Sequence, residues 1–278
     1  MSKPVRITVL VENSVHRQGL VAEHGLCFHV ECGEHSLLFD TGQTELALIN
    51  AESLKLPLDR VEAIVLSHGH YDHTGGVPTM LGVAPGARVC LHPAAFAKKF
   101  SLSSGQSRSI GMSDCVVEAI RRHPGGFVET PGCTGISEGI VVTGEIPRTN
   151  TFEDTGGAFF LDAAGTRPDP LVDDQALVID LGRSVVLLLG CAHAGVVNTL
   201  DCVRQLTGGK PVRAVIGGLH LGLARAERLE PTIARLREAQ LEILAPAHCT
   251  GWPATAKLWR AFPDLCRPAG VGSVFEFK

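Results

Sequence analysis

The sequence predicts an α/β fold with mixed sheets. Short β-branched runs recur along the chain, and helical patterns fall between several of them. Polar residues able to bind metal follow one strand end after another: Asp40, His68, Cys191 with His193, His220 and His248. In α/β proteins that edge is where loops converge into binding crevices.

The elements follow in order. RITVLVE (6–12) suits a first strand better than an export signal, because its apolar run is short and no small-residue cleavage site follows it. LCFHVEC (26–32) and SLLFDTG (36–42) come next with no helix between them, which predicts antiparallel neighbours. Further strands are expected at VEAIVLS (61–67), ARVCLH (87–92), GIVVTG (139–144), QALVID (175–180), SVVLLLG (184–190), PVRAVIGG (211–218) and LEILAPAH (241–248). Helical patterns lie in QTELALINAESLKL, AGVVNTLDCVRQLTG, ARAERLEPTIARLREAQ and ATAKLWRAF. One domain spanning 1–278 is expected, with residues 93–170 as an irregular insertion that shapes a pocket.

Composition narrows the function classes. The 278 residues are 45% hydrophobic, ample for a core, and carry a net charge of −4, which argues against a nucleic-acid footprint. Lys98-Lys99 and Arg121-Arg122 are read as solvated surface. Nine cysteines without a CxxC pair point to reduced thiols. No run approaches the roughly 18 to 20 apolar residues that cross a bilayer. A soluble cytoplasmic protein is expected, free or as a homodimer, acting on a small molecule.

The chemistry concentrates in LSHGHYDHTGG (66–76). His68 and His70, two apart, share a side in an extended segment. Gly69 removes a crowding side chain and permits an unusual backbone angle. Tyr71 is expected to point away while Asp72 and His73 open a new element. Imidazole nitrogen and carboxylate oxygen suit zinc, iron or manganese. Four donors saturate neither of two ions, so His193 and His248 are expected to complete the set. Two ions about 3.5–4 Å apart would leave room for a bridging hydroxide and a substrate.

HxHxDH after an apolar strand, with later histidines after two more strands, resembles the metallo-β-lactamase superfamily. AEHGLCFHVE, LLFDTGQ, TGEIPRTNTFED, DDQALVI, GCAHAGVVNT, IGGLHL and PAHCTG resemble, in order, the branch named for 7,8-dihydropterin-6-methyl-4-(β-D-ribofuranosyl)aminobenzene 5'-phosphate synthase. The resemblance implies a four-layer αββα sandwich with its metals at the shared edge of two sheets. It makes His68, His70, Asp72, His73 and His248 metal ligands and Asp40 a support for the motif loop. His193 is taken as the sixth ligand. Cys191 and Asp174 stay open as extra or substitute ligands.

Of the remaining residues, His220 is expected to orient substrate or move a proton beside Asp72, and His24 and Arg148 to contact substrate. His29 is read as an ordinary residue and Cys249 as an inward-packed apolar one. The leading function is hydrolysis of an ester or phosphoester by a metal-bound hydroxide on two divalent ions, zinc first. The alternatives are transfer of a dihydropterin methyl group from its diphosphate to a ribofuranosylaminobenzene phosphate, and non-catalytic metal-dependent binding.

Overall fold

The computed structural model describes residues 3–103 and 105–278. In chain order the strands begin with β1 (Val5–Val11), β2 (Cys27–Cys32), β3 (His35–Phe39), β4 (Ala63–Val65) and β5 (Arg88–Leu91). They continue with β6 (Phe100–Ser103), β7 (Gln106–Ser109), β8 (Phe127–Glu129), β9 (Thr134–Ser137), β10 (Ile140–Val142) and β11 (Phe159–Phe160). The last five are β12 (Leu177–Asp180), β13 (Val185–Leu189), β14 (Val212–Gly218), β15 (Ile243–Ala247) and β16 (Val274–Phe277). The helices are α1 (Leu46–Leu54), α2 (Tyr71–Thr74), α3 (Val77–Val83), α4 (Asp114–Arg122), α5 (Val196–Leu206), α6 (Ala226–Glu238) and α7 (Trp252–Ala261).

Two large sheets carry the architecture. The first has the order β16-β1-β2-β3-β4-β5-β8 and the second β15-β14-β13-β12-β10-β9. Both are mixed. β1, β2 and β3 pair antiparallel, as their helix-free connections predict, while β3, β4, β5 and β8 run parallel. In the second sheet β13, β14 and β15 are parallel and the rest antiparallel.

Period-two alternation gives each sheet two apolar faces. Ile7, Phe28, Phe39 and Val65 of the first pack with Ile140, Leu177, Val186 and Ile216 of the second in one buried core. The outer face of the first sheet is covered by α1, α3 and α4 through Ala47, Met80 and Ile120. That of the second is covered by α5, α6 and α7 through Val203, Leu229 and Leu258. The result is the four-layer αββα sandwich.

The segment 93–170 departs from expectation. Beyond the strand expected at 139–144, found as β10, it contains β6 to β9, β11 and α4. β8 extends the first sheet, β9 and β10 extend the second, and β11-β6-β7 form a third. These strands are two to four residues long, and β7 and β8 are wholly exposed, so they carry little hydrophobic alternation. α4 is held by ordinary devices: Ser113 accepts from the Val116 N–H, and Arg121 and Arg122 lie in the last turn, where cations meet the C-terminal end of the dipole.

Lys99 is also a correction. Lys98 is exposed, but Lys99 is 1% exposed and pairs with Asp169 at 2.9 Å and Asp173 at 2.8 Å. Two carboxylates offset the cost of burying the ammonium, and local sequence does not announce partners some 70 positions away. Among the described residues, no helix is long and apolar enough to cross a membrane.

Candidate metal centre

The C-terminal ends of β3, β4, β13, β14 and β15 meet along one edge of the sandwich and deliver the predicted donors. Asp40, Ala192, His220 and His248 each follow a strand with positive φ, a backbone state unfavourable for residues with a Cβ and common where a site fixes a sharp turn. Gly69 is not among the positive-φ residues; a Cβ there would collide with the Ala95 carbonyl. It is needed for close approach, not for an unusual angle.

Buried acceptors leave the ring nitrogens that face inward as lone pairs. His73 Nδ1 lies 2.7 Å from Asp40 Oδ2. Ser67 Oγ donates to the same oxygen at 2.7 Å and lies 2.9 Å from His68 Nδ1, which it can therefore receive as a donor. His193 Nδ1 donates to the Thr155 carbonyl at 2.8 Å, and His248 Nδ1 meets Asn13 Oδ1 at 2.9 Å. With Nδ1 engaged in each, Nε2 is the nitrogen left to face a cation.

Two donor groups result. The imidazoles of His68, His70 and His193 bring ligand atoms within 4.8 Å of one another. Their Nε2 atoms are buried without a hydrogen-bond partner among the described residues, which is costly unless a ligand satisfies them. Beside them, His248 Nε2 is 3.2 Å from His73 Nε2 and 3.3 Å from Asp72 Oδ2, and His24 Nε2 is 3.1 Å from the same Asp72 oxygen. Cys191 Sγ lies 3.2 Å from His73 Nε2 and forms a close group with His68 and His73. The thiol thus stands between the two groups, and the donor chemistry fits divalent transition metal.

Electrostatics agree with that fit. Burial and the adjoining imidazoles hold His68 and His193 well below the usual histidine range, and burial brings His70 to about 3, so all three are neutral. Burial also pulls on His73, but the charges of Asp40 and Asp72 outweigh it and raise the ring to about 9, so a cation taken up at its Nε2 displaces a proton. Burial pushes the Asp72 carboxyl up, yet His73, His24 and His248 together keep it well below the ordinary carboxylate range.

The other predicted residues divide. Asp174 accepts the Ala194 N–H at 2.8 Å, and burial raises its carboxyl to about 7; it braces the Cys191–His193 turn. Arg148 donates to the carbonyls of His193 and Pro170, both at 2.8 Å, and is absent from the pocket lining. His24 and His220 line the pocket, a cavity of about 500 Å³. Tyr71 and Cys249 line it too, where sequence reasoning turned one away and packed the other inward. Neither expectation allowed for the loops that reach these side chains from distant segments.

Sequence reasoning missed Ser67 and Glu12, which accepts the His248 N–H at 2.7 Å. It also missed Asp173, whose Oδ2 accepts the Gly69 N–H at 2.8 Å, as a support for the metal loop. Phe159, whose ring centroid lies 5.4 Å from that of His70 and 5.2 Å from that of His193, was overlooked because it sits in a two-residue strand.

A shared sandwich edge with histidine, aspartate and cysteine donors defines a class of metal-binding protein. The chain belongs to the metallo-β-lactamase superfamily, whose profile matches residues 21–203. The superfamily is largely hydrolytic and usually binds divalent metal. The chain is similar to 7,8-dihydropterin-6-methyl-4-(β-D-ribofuranosyl)-aminobenzene-5'-phosphate synthase of Methanocaldococcus jannaschii, 28% identical over 92% of this chain and 90% of that one. It is also similar to Tm1679, a metal-dependent hydrolase of the β-lactamase superfamily, with a TM-score of 0.82, 30% identity and 99% coverage of both chains. Zinc-bound PqqB from Methylobacterium extorquens shares the fold at TM-score 0.59 and 14% identity, covering 97% of this chain and 99% of that one.

Proposed function

We propose that the protein is a dinuclear metal-dependent hydrolase of a small-molecule ester or phosphoester. The observation that carries this reading is the pair of adjoining donor groups at a pocket wall, His68, His70 and His193 beside Asp72, His73 and His248. Zinc is the metal expected from this donor set, and iron or manganese is compatible with it. Bound ions supply Lewis acidity and lower the pKa of water toward neutrality.

The chain's own residues do the rest. Asp72 orients the reacting face, with the His24 ring donating to its carboxylate. His220 Nδ1 is buried without a partner among the described residues, and its ring faces that of His193 at 4.3 Å, a position from which it orients substrate or moves a proton. Phe159 covers the imidazoles and excludes water.

The test is metal analysis of purified protein together with an ester and phosphoester panel, run with and without chelator. Two transition-metal ions per chain, and activity removed by chelator and restored by zinc, iron or manganese, is the expected result. A chain that takes up no transition metal overturns the reading.

A second reading, group transfer with loss of diphosphate, is favoured by the 28% identity to the archaeal synthase over most of both chains. Both readings use the same donors. Incubation with a dihydropterin methyl diphosphate and a ribofuranosylaminobenzene phosphate, followed by mass spectrometry for the condensed product, separates them.

A further inference from the structure

The wall of the pocket formed by the third sheet has a chemistry that the metal donors do not explain. In this sheet Phe159 pairs with Ser101 across β11 and β6, and Ser101 with Arg108 across β6 and β7. Partners in register project to the same face, and so do residues two apart on one strand. Ser103 and Gln106, the next such pair, share that face, and all five residues line the pocket. A cationic and hydroxyl-bearing surface thus continues from an aromatic ring that lies against His70 and His193.

Arg108 is exposed at the pocket rim and held on one side only. Its Nη2 donates to the Tyr71 hydroxyl at 2.6 Å, and its Cζ lies 4.9 Å from the Tyr71 ring centroid. Among the described residues that hydroxyl is its hydrogen-bond partner, and no carboxylate pairs with it. One of five N–H donors is used, leaving the planar fork free for an oxyanion.

Its backbone is anchored to the metal-binding segment. Tyr71 sits between His70 and Asp72, the Tyr71 N–H donates to the Ile110 carbonyl at 2.9 Å, and His70 bridges to Gly111. The strand carrying Arg108 is therefore tied by its backbone to the segment carrying the metal donors. Among the described lining residues Asp72 is the one carboxylate, and it faces His24 and His248.

We propose that this sheet face is the subsite for an oxyanion at the far end of the substrate, a phosphate or carboxylate. Arg108 is its charge partner and the Ser101 hydroxyl a second donor, while Phe159 covers the apolar or flat middle of the molecule. The substrate class is a small molecule with an anionic tail and its reacting bond at the opposite end. This inference rests on the metal-centre reading above, and it serves hydrolysis and group transfer equally.

Its test is binding of matched metal-chelating probes to the zinc-loaded protein, followed by calorimetry. Straight-chain hydroxamates of increasing length are compared in three forms, ending in a methyl group, a carboxylate or a phosphonate. The hydroxamate engages the metals in every case, so the tail alone differs. At the length that spans the pocket, an anionic form binds about tenfold or more tightly than its methyl counterpart, as a charge-assisted bond implies.

The carboxylate and phosphonate arms rank the two tails, and either preference supports the subsite. Arg108→Gln removes the preference and leaves methyl-terminated binding unchanged; Arg108→Lys retains part of it. Hydroxamates that bind without any tail preference, or a preference that survives Arg108→Gln, overturn the subsite and leave the metal centre standing. Wild-type protein that binds zinc but no hydroxamate of any form overturns the subsite together with the open metal centre it rests on.

Discussion

Asp40 Oδ2 lies 2.7 Å from His73 Nδ1, with both side chains fully buried. The same oxygen accepts from the Ser67 hydroxyl and Oδ1 accepts the Ser67 N–H at 2.7 Å, so one carboxylate orients His73 directly and His68 through Ser67. Asp40→Asn removes the charge and presents an amide where acceptors are required. Zinc affinity is expected to fall about 10- to 100-fold, measured by competition with a chromophoric chelator. Unchanged affinity would show that ring orientation does not depend on Asp40.

Lys99→Met leaves Asp169 and Asp173 buried without their counter-charge. The expected loss is about 3–5 kcal/mol in urea unfolding, against less than about 0.5 kcal/mol for Lys98→Met on the exposed neighbour. Equal effects from the two variants would contradict the buried triad.

Stability is expected to fall on mild acidification, in part through a histidine outside the site. His29 is 1% exposed, and burial with the nearby Arg6 charge lowers it to about 4. Its folded value lies below the unfolded value of about 6.5, so the unfolded chain takes the proton first. The contribution is full above pH 6.5 and is lost as pH falls from there toward 4. Between pH 7 and 5 this amounts to about 2 kcal/mol. His29→Gln should flatten the urea-derived stability curve over that interval by a comparable amount, measured on metal-free protein; a curve of unaltered slope would refute the assignment.

Two glycines make opposite predictions. At Gly69 a Cβ meets the Ala95 carbonyl, whereas at exposed Gly82, inside α3, it meets nothing within 4 Å. Gly69→Ala should cost about 1–3 kcal/mol and weaken metal binding by shifting His68 against His70. Gly82→Ala should stabilise by about 0.5–1 kcal/mol through helix propensity. Thermal unfolding with and without zinc reads both.

The parts of the fold legible in the sequence are those with a core face to fill. VRITVLV and VVLLL announce themselves because the buried sandwich demands apolar side chains at set intervals. QSRS and FVE are exposed throughout and place no such demand. α4 carried a usable signal in Ser113 followed by Asp114, ahead of the Val116 and Ile120 stripe.

At the site, the cluster from His68 to His73 could be read because its donors are local. Asp173 could not be assigned its part, since its partners Lys99 and Gly69 lie 74 and 104 positions away. Cys191 and His193 straddle one turn, and only the direction of that turn distinguishes a thiol between two donor groups from one beside them.

His73 and His248, 175 positions apart along the chain, bring their Nε2 atoms to 3.2 Å across the seam of the two sheets. The segment after β4 of the first sheet brings His68, His70, Asp72 and His73, while His193 and His248 follow strands of the second, so the six donors meet only when the two sheets dock. A full donor set therefore exists only in a chain whose two halves have come together, and metal uptake would report that docking.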